Sequence, residues 1–232
     1  MNPVISTIKQ VPITAEDQWH IVASQLEAEN LKLASYDHTL LSELGNVNGK
    51  KVLDYGCGPG VLTWALKNLC AEVKGFDINA EMVEKAGLKI GQENVSSNIN
   101  DFVDNSFDLI ICNLVLCIVS EAEVQNILKQ IKRLLKPEGK AYIGFCNPKI
   151  HNTPESQLDF RFFSGQPYFE NHSYRKVKKE GIYEIVENHR PIDWYAKLFY
   201  SCGLVLLDIL LTPEYKIRND KINDFVIFKL QK

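Results

Sequence analysis

The chain has 232 residues, of which 45% are hydrophobic and 24% are charged. A chain of this length and composition can bury the core of one full-sized domain. Its formal net charge is −3 and its pI is near 6.0, whereas nucleic-acid-binding domains usually present a strongly basic face. These values disfavour a large nucleic-acid partner, and we expect a monomer or a homodimer.

The sequence carries no clear targeting or metal-binding signal. The first residues contain no basic stretch followed by an apolar one, and the longest apolar run, at about 110–119, is too short to span a membrane. The six cysteines lack the paired C-x-x-C spacing of zinc and redox sites. We therefore expect a cytoplasmic protein with no membrane contact and no metal ion.

Hydrophobic periodicity divides the chain into an N-terminal segment and a main domain. Apolar positions at helical spacing over 15–44 predict one or two helices, and we assign 1–45 to a helical segment that covers the binding site. In the main domain, 46–232, strands alternate with helices, which indicates a parallel sheet covered by helices on both faces. The pattern predicts strands over 52–55, 72–77, 94–99, 107–113 and 140–146, and helices over 61–70, 80–90 and 121–135.

The remainder of the chain has a different composition. Residues 147–190 are rich in aromatic and polar side chains. We interpret them as an insertion after the fifth strand that forms a lid over an apolar ligand. Within it, the charged run at 175–179 is predicted to be a solvated hairpin. A helix over 191–202 and strands over 204–211 and 224–230 follow, the two strands forming an antiparallel hairpin at the sheet edge.

Glycines and a carboxylate occupy the ends of the first two predicted strands. Gly56, Gly58 and Gly60 follow the first strand directly, at the edge where an open α/β sheet binds its ligand, and glycine lets the backbone pass close to that ligand. Asp77 ends the second strand and is placed to accept hydrogen bonds from both hydroxyls of a ribose. A helix N-cap is the alternative role for Asp77, although Asn79 can fill it instead. The spacing G-x-G-x-G differs from the G-x-G-x-x-G of dinucleotide-binding dehydrogenases, which disfavours that class.

Together these motifs resemble the class I S-adenosylmethionine-dependent methyltransferase family, in its small-molecule type. The resemblance rests on the glycine segment at 52–60, the strand at 107–113 and the turn residues at 134–139, and it covers roughly 36–146 plus the last helix and hairpin. It implies an α/β, Rossmann-like fold: a mostly parallel seven-stranded sheet with helices on both faces, an antiparallel C-terminal hairpin, and the insertion after the fifth strand. The methyltransferase domain would then be 46–232.

The resemblance also implies a reaction. S-adenosyl-L-methionine would donate a methyl group to an oxygen or nitrogen of a small molecule by in-line displacement, with or without a general base, and S-adenosyl-L-homocysteine would be the product. The alternative is a catalytically silent binding or partner subunit that keeps the fold, because fold alone does not imply activity. The intact glycines argue against that alternative, since a silent subunit has no need for close backbone approach at the loop.

Site residues are assigned by position. The cofactor would contact residues spread over the glycine loop, the ends of the next three strands and the N-terminal segment: Tyr36, Asp54, Gly56, Cys57, Gly58, Gly60, Asp77, Ile78, Met82, Asn98, Ile99, Asn113 and Leu114. Asn98 and Ile99 stand near the place where the family often has an aspartate.

The acceptor side is assigned mainly from the insertion. His189 is the candidate catalytic base, although loop histidines are more often exposed or already hydrogen-bonded. Cys117 stands where relatives often carry a histidine. The predicted acceptor pocket combines these with aromatic and histidine side chains: Trp19, Cys117, His151, Phe163, Tyr168 and Tyr174.

Overall fold

A computed structural model describes residues 33–69, 71–179 and 184–232. The predicted N-terminal helices are therefore represented by one helix, α1 (Ser35–Leu44). The predicted pocket residue Trp19 lies outside the described residues.

The main sheet is built as the alternating pattern predicts. Its strands are β1 (Lys51–Tyr55), β2 (Glu72–Phe76), β3 (Val95–Ser96), β4 (Phe107–Asn113), β5 (Leu135–Cys146), β9 (Val205–Leu211) and β12 (Phe225–Gln231). Among the described residues these seven strands have the order β3-β2-β1-β4-β5-β12-β9. The pairs among β1 to β5 are parallel, whereas β12 is antiparallel to both β5 and β9. The predicted mostly parallel seven-stranded sheet is confirmed.

Helices cover both faces of this sheet: α2 (Val61–Asn68), α3 (Ala80–Ile90), α4 (Glu121–Leu134) and α5 (Ile192–Ser201). Successive strand residues point to opposite faces, so Val52 packs with α1 and α2 in one apolar cluster while Leu53 packs with α4 and α5 in another. A reciprocal capping box between Ser120 and Glu123 starts α4. The helices thereby cover the centre of the sheet, whereas apolar side chains of the edge strand β9, among them Val205 and Leu207, stay exposed.

Two predicted boundaries were wrong. The strand predicted over 94–99 is limited to β3, because the chain then turns into a short 3-10 helix at Ile99–Asp101 that Asn98 caps by accepting the Asn100 N–H. The turn expected among residues 134–139 does not precede β5. It lies within that strand, where the pairing with β4 is irregular and Glu138 has φ 63°. Both errors arise because local turn geometry is decided by a few residues that periodicity does not detect.

The insertion forms its own antiparallel sheet of β6 (Asp159–Phe162), β7 (His172–Lys178) and β8 (Glu184–His189). A further small hairpin, β10 (Tyr215–Ile217) with β11 (Asp220–Ile222), lies in the connection from β9 to β12. The predicted pairing of the last two main-sheet strands is confirmed, but β12 is an inner strand and β9 alone forms that edge.

Most of the charged run lies on β7, which pairs antiparallel with β8, and the solvated interpretation is wrong for Lys176. That side chain is 1% exposed. Its neighbour on the strand, Arg175, is more exposed, because consecutive strand residues face opposite sides.

Phe228 offers a test of the core beneath the site. Its ring lies 5.2 Å from that of Phe199 and 5.4 Å from that of Phe145, with no exposed surface. We expect Phe228→Ala to lower the free energy of unfolding by about 3–5 kcal/mol, because it removes buried apolar area and leaves a cavity. The control Phe169→Ala, at a side chain 77% exposed, should change it little. Urea denaturation followed by circular dichroism measures both.

Candidate active site

The glycine loop is held against the end of β2 by hydrogen bonds. The carbonyl of Phe76 accepts the N–H groups of Gly56 at 2.7 Å and of Cys57 at 2.9 Å. The Asp77 carboxylate accepts the N–H of Gly58 at 2.8 Å. These bonds fix the loop at the carboxyl edge of the sheet.

The three glycines of the loop are required for different reasons, although all have positive φ, at 76°, 52° and 78°. A Cβ on Gly56 would lie 2.3 Å from the Val115 side chain, and one on Gly60 would lie 3.0 Å from the Cα of Ala86 on α3. A Cβ on Gly58 would meet nothing within 4 Å. Gly60 is thus required for the contact between α2 and α3, and Gly58 borders the open space in which a ligand can approach.

Replacing these glycines should separate folding from binding. Both Gly60→Ala and Gly58→Ala place an alanine at positive φ, which costs about 1–2 kcal/mol. Gly60→Ala must in addition displace the α3 backbone, so we expect it to lower the thermal midpoint further than Gly58→Ala does. Gly58→Ala should be the variant that keeps the fold but weakens S-adenosylmethionine binding. Equal thermal midpoints for the two variants would contradict this division.

Asp77 keeps capacity for a ligand while holding the loop. Its other carboxylate oxygen accepts the N–H of Asn79 at 2.9 Å, and Asn79 itself caps α3 by accepting from Glu81 and Met82. The N-cap role therefore belongs to Asn79. Each oxygen of a carboxylate has a second lone pair, so the geometry leaves room for two ribose hydroxyls. Burial raises the pKa of Asp77, and the N–H bonds from Asn79 and Gly58 oppose that rise.

The two predicted adenine neighbours differ in exposure. Ile78 follows Asp77 and is 66% exposed, so it presents a wide apolar surface beside the loop. Met82 is 2% exposed and lies on the buried side of α3.

Asn113 supplies a polar group without a partner. Its side-chain oxygen and nitrogen are both buried and make no hydrogen bond with any residue that the structure describes. A Cβ on Gly144 would lie 2.4 Å from that oxygen, so β5 keeps a glycine where the amide sits. Next to it, Leu114 has φ 58° and donates its N–H to the Gly144 carbonyl. Since buried polar groups are almost always hydrogen-bonded, this amide at the end of β4 fits a polar group of a bound ligand.

Asp54 lies behind the loop. It is 3% exposed, and one of its oxygens accepts the Thr63 hydroxyl at 2.6 Å. Burial raises its pKa from 3.8 to about 7, against the lowering effect of that hydrogen bond. The side chain fastens the start of α2 to β1, so any contact with the cofactor would be made through the loop.

The raised pKa predicts a pH dependence of stability. The folded state holds the Asp54 proton more tightly than the unfolded state, so the free energy of unfolding falls as pH rises from about 4 to about 7. Asp54→Asn cannot titrate, and it should gain up to about 4 kcal/mol relative to wild type over that window. Thermal unfolding at a series of pH values measures the difference.

Asp108 provides a control of opposite sign. Burial raises the pKa of Asp108, but the hydrogen bonds from Lys136 and the Lys51 N–H, together with the charges of nearby lysines, outweigh it and lower that pKa. Asp108→Asn should therefore lose stability relative to wild type as pH rises through the range where the free carboxyl ionises. A pH-independent difference for Asp54→Asn would contradict the assignment.

Near the residues predicted to contact adenine, the structure adds Ser96, which the sequence did not indicate. The Ser96 carbonyl accepts the Asp77 N–H at 3.3 Å, so the end of β3 is joined directly to Asp77. The Ser96 hydroxyl accepts the Asn98 N–H and donates to the Asp101 carboxylate, to which the Asn98 amide also donates. The Ile99 carbonyl accepts from Arg133. The end of a strand at Ser96 was the signal that could have indicated it.

Tyr36 reaches the same edge of the sheet from α1. Its ring lies 4.8 Å from that of Phe225, which pairs with Cys146 at the carboxyl end of β5. The position agrees with a residue at the border of the site.

The insertion closes over a small cavity at the end of β5. Its volume is about 20 Å³, room for about one water molecule. It is lined by His189 and by four of the residues predicted for the acceptor pocket: Cys117, His151, Phe163 and Tyr174. The fifth, Tyr168, is hydrogen-bonded to His189 through its backbone carbonyl. An acceptor can therefore enter only if side chains of the insertion move.

Beneath the cavity lies a buried network of charges that the sequence did not reveal. Lys176 contacts the Glu187 carboxylate and lies 3.1 Å from the Cys146 sulfur. Tyr174 donates its hydroxyl to the other Glu187 oxygen at 2.5 Å. Cys117 lies at the edge of this network, 4.0 Å from Glu187 and 2% exposed, so its thiol is part of the floor.

Further ion pairs extend this network. Arg161 contacts Asp159 at 2.8 Å and Asp224 at 3.4 Å. Asp224 precedes β12 and accepts the Tyr215 hydroxyl. The network therefore links the insertion to the main sheet and to the small hairpin.

His189, the candidate base, is 5% exposed. Its Nε2 lies 2.6 Å from the Tyr168 carbonyl oxygen. Burial lowers its pKa to about 4, so the ring is neutral near pH 7. Within the described ranges, no group of His, Cys, Asp or Glu side chains is arranged to hold a metal ion.

Comparisons with known proteins agree with this geometry. Residues 53–143 match a family described as a methyltransferase domain. The demethylmenaquinone methyltransferase of Tropheryma whipplei is 27% identical over 195 residues, covering 82% of this chain and 78% of its own. The ubiquinone biosynthesis O-methyltransferase of Actinobacillus pleuropneumoniae is 35% identical over 111 residues, 43% of this chain and 47% of its own.

Solved structures share the fold. The S-adenosylmethionine-dependent methyltransferase of Mesorhizobium loti superposes with a TM-score of 0.64 at 17% identity, over 88% of this chain and all of the other.

No helix in the described parts of the chain combines the length and apolar character needed to cross a membrane.

Proposed function

We propose that this chain, a member of the class I S-adenosylmethionine-dependent methyltransferase family, transfers a methyl group to an oxygen or nitrogen of a small molecule. The observation that carries the proposal is the partnerless amide of Asn113, which lies at the same edge of the sheet as the open side of Gly58. A buried polar group is costly unless a ligand satisfies it. A silent subunit would gain nothing from keeping it.

When bound, S-adenosylmethionine supplies a methyl group that is already activated on a sulfonium. The protein then has to hold and orient the reactants. Asp77 would accept the ribose hydroxyls, Gly58 would let the backbone approach, and Asn113 would bind the methionine portion. Proximity and orientation can account for about 7–11 kcal/mol of the barrier in favourable cases.

The insertion would shield the reaction from water. We propose that 147–190 acts as a lid and that the N-terminal segment, 1–45, covers the site from the other side; the contact of Tyr36 with Phe225 supports the second part. The relative named as an O-methyltransferase favours oxygen as the acceptor atom. The net charge of −3 supports a small-molecule acceptor over nucleic acid, and we propose a cytoplasmic monomer or homodimer.

Calorimetric titration with S-adenosylmethionine and S-adenosylhomocysteine tests the proposal. Wild type should bind both. Asp77→Ala should weaken binding by at least about 10-fold, since it removes a charged acceptor of hydrogen bonds. The control Asp108→Ala removes a carboxylate at the opposite end of the sheet, where it accepts from Lys51 and Lys136, and should leave affinity unchanged.

The opposite results are equally informative. No binding by wild type would contradict the proposal and favour a silent partner subunit. Equal loss of affinity in both variants would point to general destabilisation and not to the ribose contact.

A further inference from the structure

A group of histidine rings packs at the cavity under the lid. The His151 ring lies 4.5 Å from that of His189 and 5.2 Å from that of His172, and the last two are 4.8 Å apart. They belong to different parts of the insertion: the segment after β5, the start of β7 and the end of β8. The fold brings together side chains that are distant in sequence.

The hydrogen bonds of the group assign its protons. A carbonyl oxygen can only accept, so His189 must carry its proton on Nε2, which faces the Tyr168 carbonyl. By the same reasoning His172 donates from Nδ1 to the Glu170 carbonyl at 2.8 Å. No proton of His151 can be assigned in this way, because its buried Nε2 makes no hydrogen bond among the described residues.

Only one of these rings combines the properties of a base. His172 also has a partnerless Nε2, but it does not line the cavity; His189 lines it, but its Nε2 is engaged. His151 lines the cavity with an unengaged nitrogen. Burial, and the neighbouring His172, lower its pKa, so the imidazole is neutral and able to accept a proton near pH 7.

The cavity wall also restricts the chemistry of the acceptor. Aromatic rings dominate it near His151: Phe163 lies 5.2 Å away, and Tyr174 stacks on Phe163 at 4.6 Å. Planar ring systems pack well in such contacts. The lining carboxylate, Glu187, is already paired with Lys176 and the Tyr174 hydroxyl, so it is not available to bind an ammonium group. The wall therefore suits a neutral planar acceptor better than a cationic amine.

We propose that His151 is the catalytic base and that the acceptor is an aromatic or enolic hydroxyl compound; this inference rests on the proposed function. The acceptor O–H bond breaks and its proton moves to Nε2 of His151. The oxygen lone pair forms the new bond to the methyl carbon. The carbon–sulfur bond breaks, and its electron pair stays on the sulfur as the neutral thioether, so the positive charge ends on the imidazolium.

The experiment that tests this proposal measures S-adenosylhomocysteine formation with paired acceptors. Phenols and catechols are compared with aromatic amines of similar ring size, and calorimetry with S-adenosylmethionine runs in parallel. The variants are His151→Gln and the matched control His172→Gln. We expect wild type to methylate phenols, and His151→Gln to lower kcat by about 10²- to 10⁴-fold with little change in KM. Cofactor affinity should be unchanged in both variants, and His172→Gln should retain most activity.

Two further readouts separate a base from a structural residue. The wild-type kcat should fall at acidic pH as the imidazole takes up a proton, and His151→Gln should lose that limb. A nitrophenol that is already ionised in mildly alkaline buffer needs no base, so it should restore turnover in the variant. The titratable and charged groups that face His151 around the cavity, and that can influence this limb, are His172, His189, Tyr168, Tyr174, Glu187, Arg161, Arg190, Cys117 and Cys146.

Failure of this inference is distinguishable from failure of the proposed function. If wild type binds S-adenosylmethionine but methylates amines only, or no hydroxyl compound, the inference is overturned while the cofactor site stands. Full activity in His151→Gln, or no rescue by the ionised acceptor, also overturns it. If His151→Gln does not fold, the acidic limb of the wild-type profile decides, and its absence with phenols refutes the base.

Discussion

The candidate site depends on the junction between the glycine loop and the end of β2. One carbonyl, that of Phe76, receives two N–H groups of the loop, and one carboxylate, that of Asp77, receives a third. These bonds satisfy backbone donors that would otherwise be orphaned at a sheet edge. They also place the glycines and the Asp77 carboxylate in one unit, so the relative position of the two is not left to side-chain flexibility.

The remaining parts of the site are arranged around this unit. Asn113 ends β4 at the same carboxyl edge of the sheet, and Gly144 on the neighbouring strand β5 leaves room for its amide. The insertion lies beyond the end of β5, with aromatic and histidine rings around a small cavity and a paired charge network below it. In the proposed reaction, the sheet would hold the cofactor and the insertion would hold most of the acceptor.

The parts that sequence could predict are those specified by neighbouring residues. The glycine loop, Asp77 and the strand–helix alternation are local patterns, and the fold they predict was confirmed. The burial of Lys176 was not predictable in this way, because its partners Glu187 and Cys146 come from other strands. A charged residue in a run looks solvated until its distant partners are known. Ser96 was missed for a related reason, since β3 is too short to show a period.

The charge network also bears on how this protein can be changed by engineering. Arg161 and Asp224 join the insertion to the segment before β12, and Lys176 approaches the end of β5. Removing one member of a buried pair leaves an uncompensated charge, which typically costs more than losing the pair altogether. Exchanging the insertion for that of a relative would therefore have to carry these positions of the main sheet with it. Under the proposed function, acceptor specificity would be transferable only as a set of co-adapted residues, and not as a detachable loop.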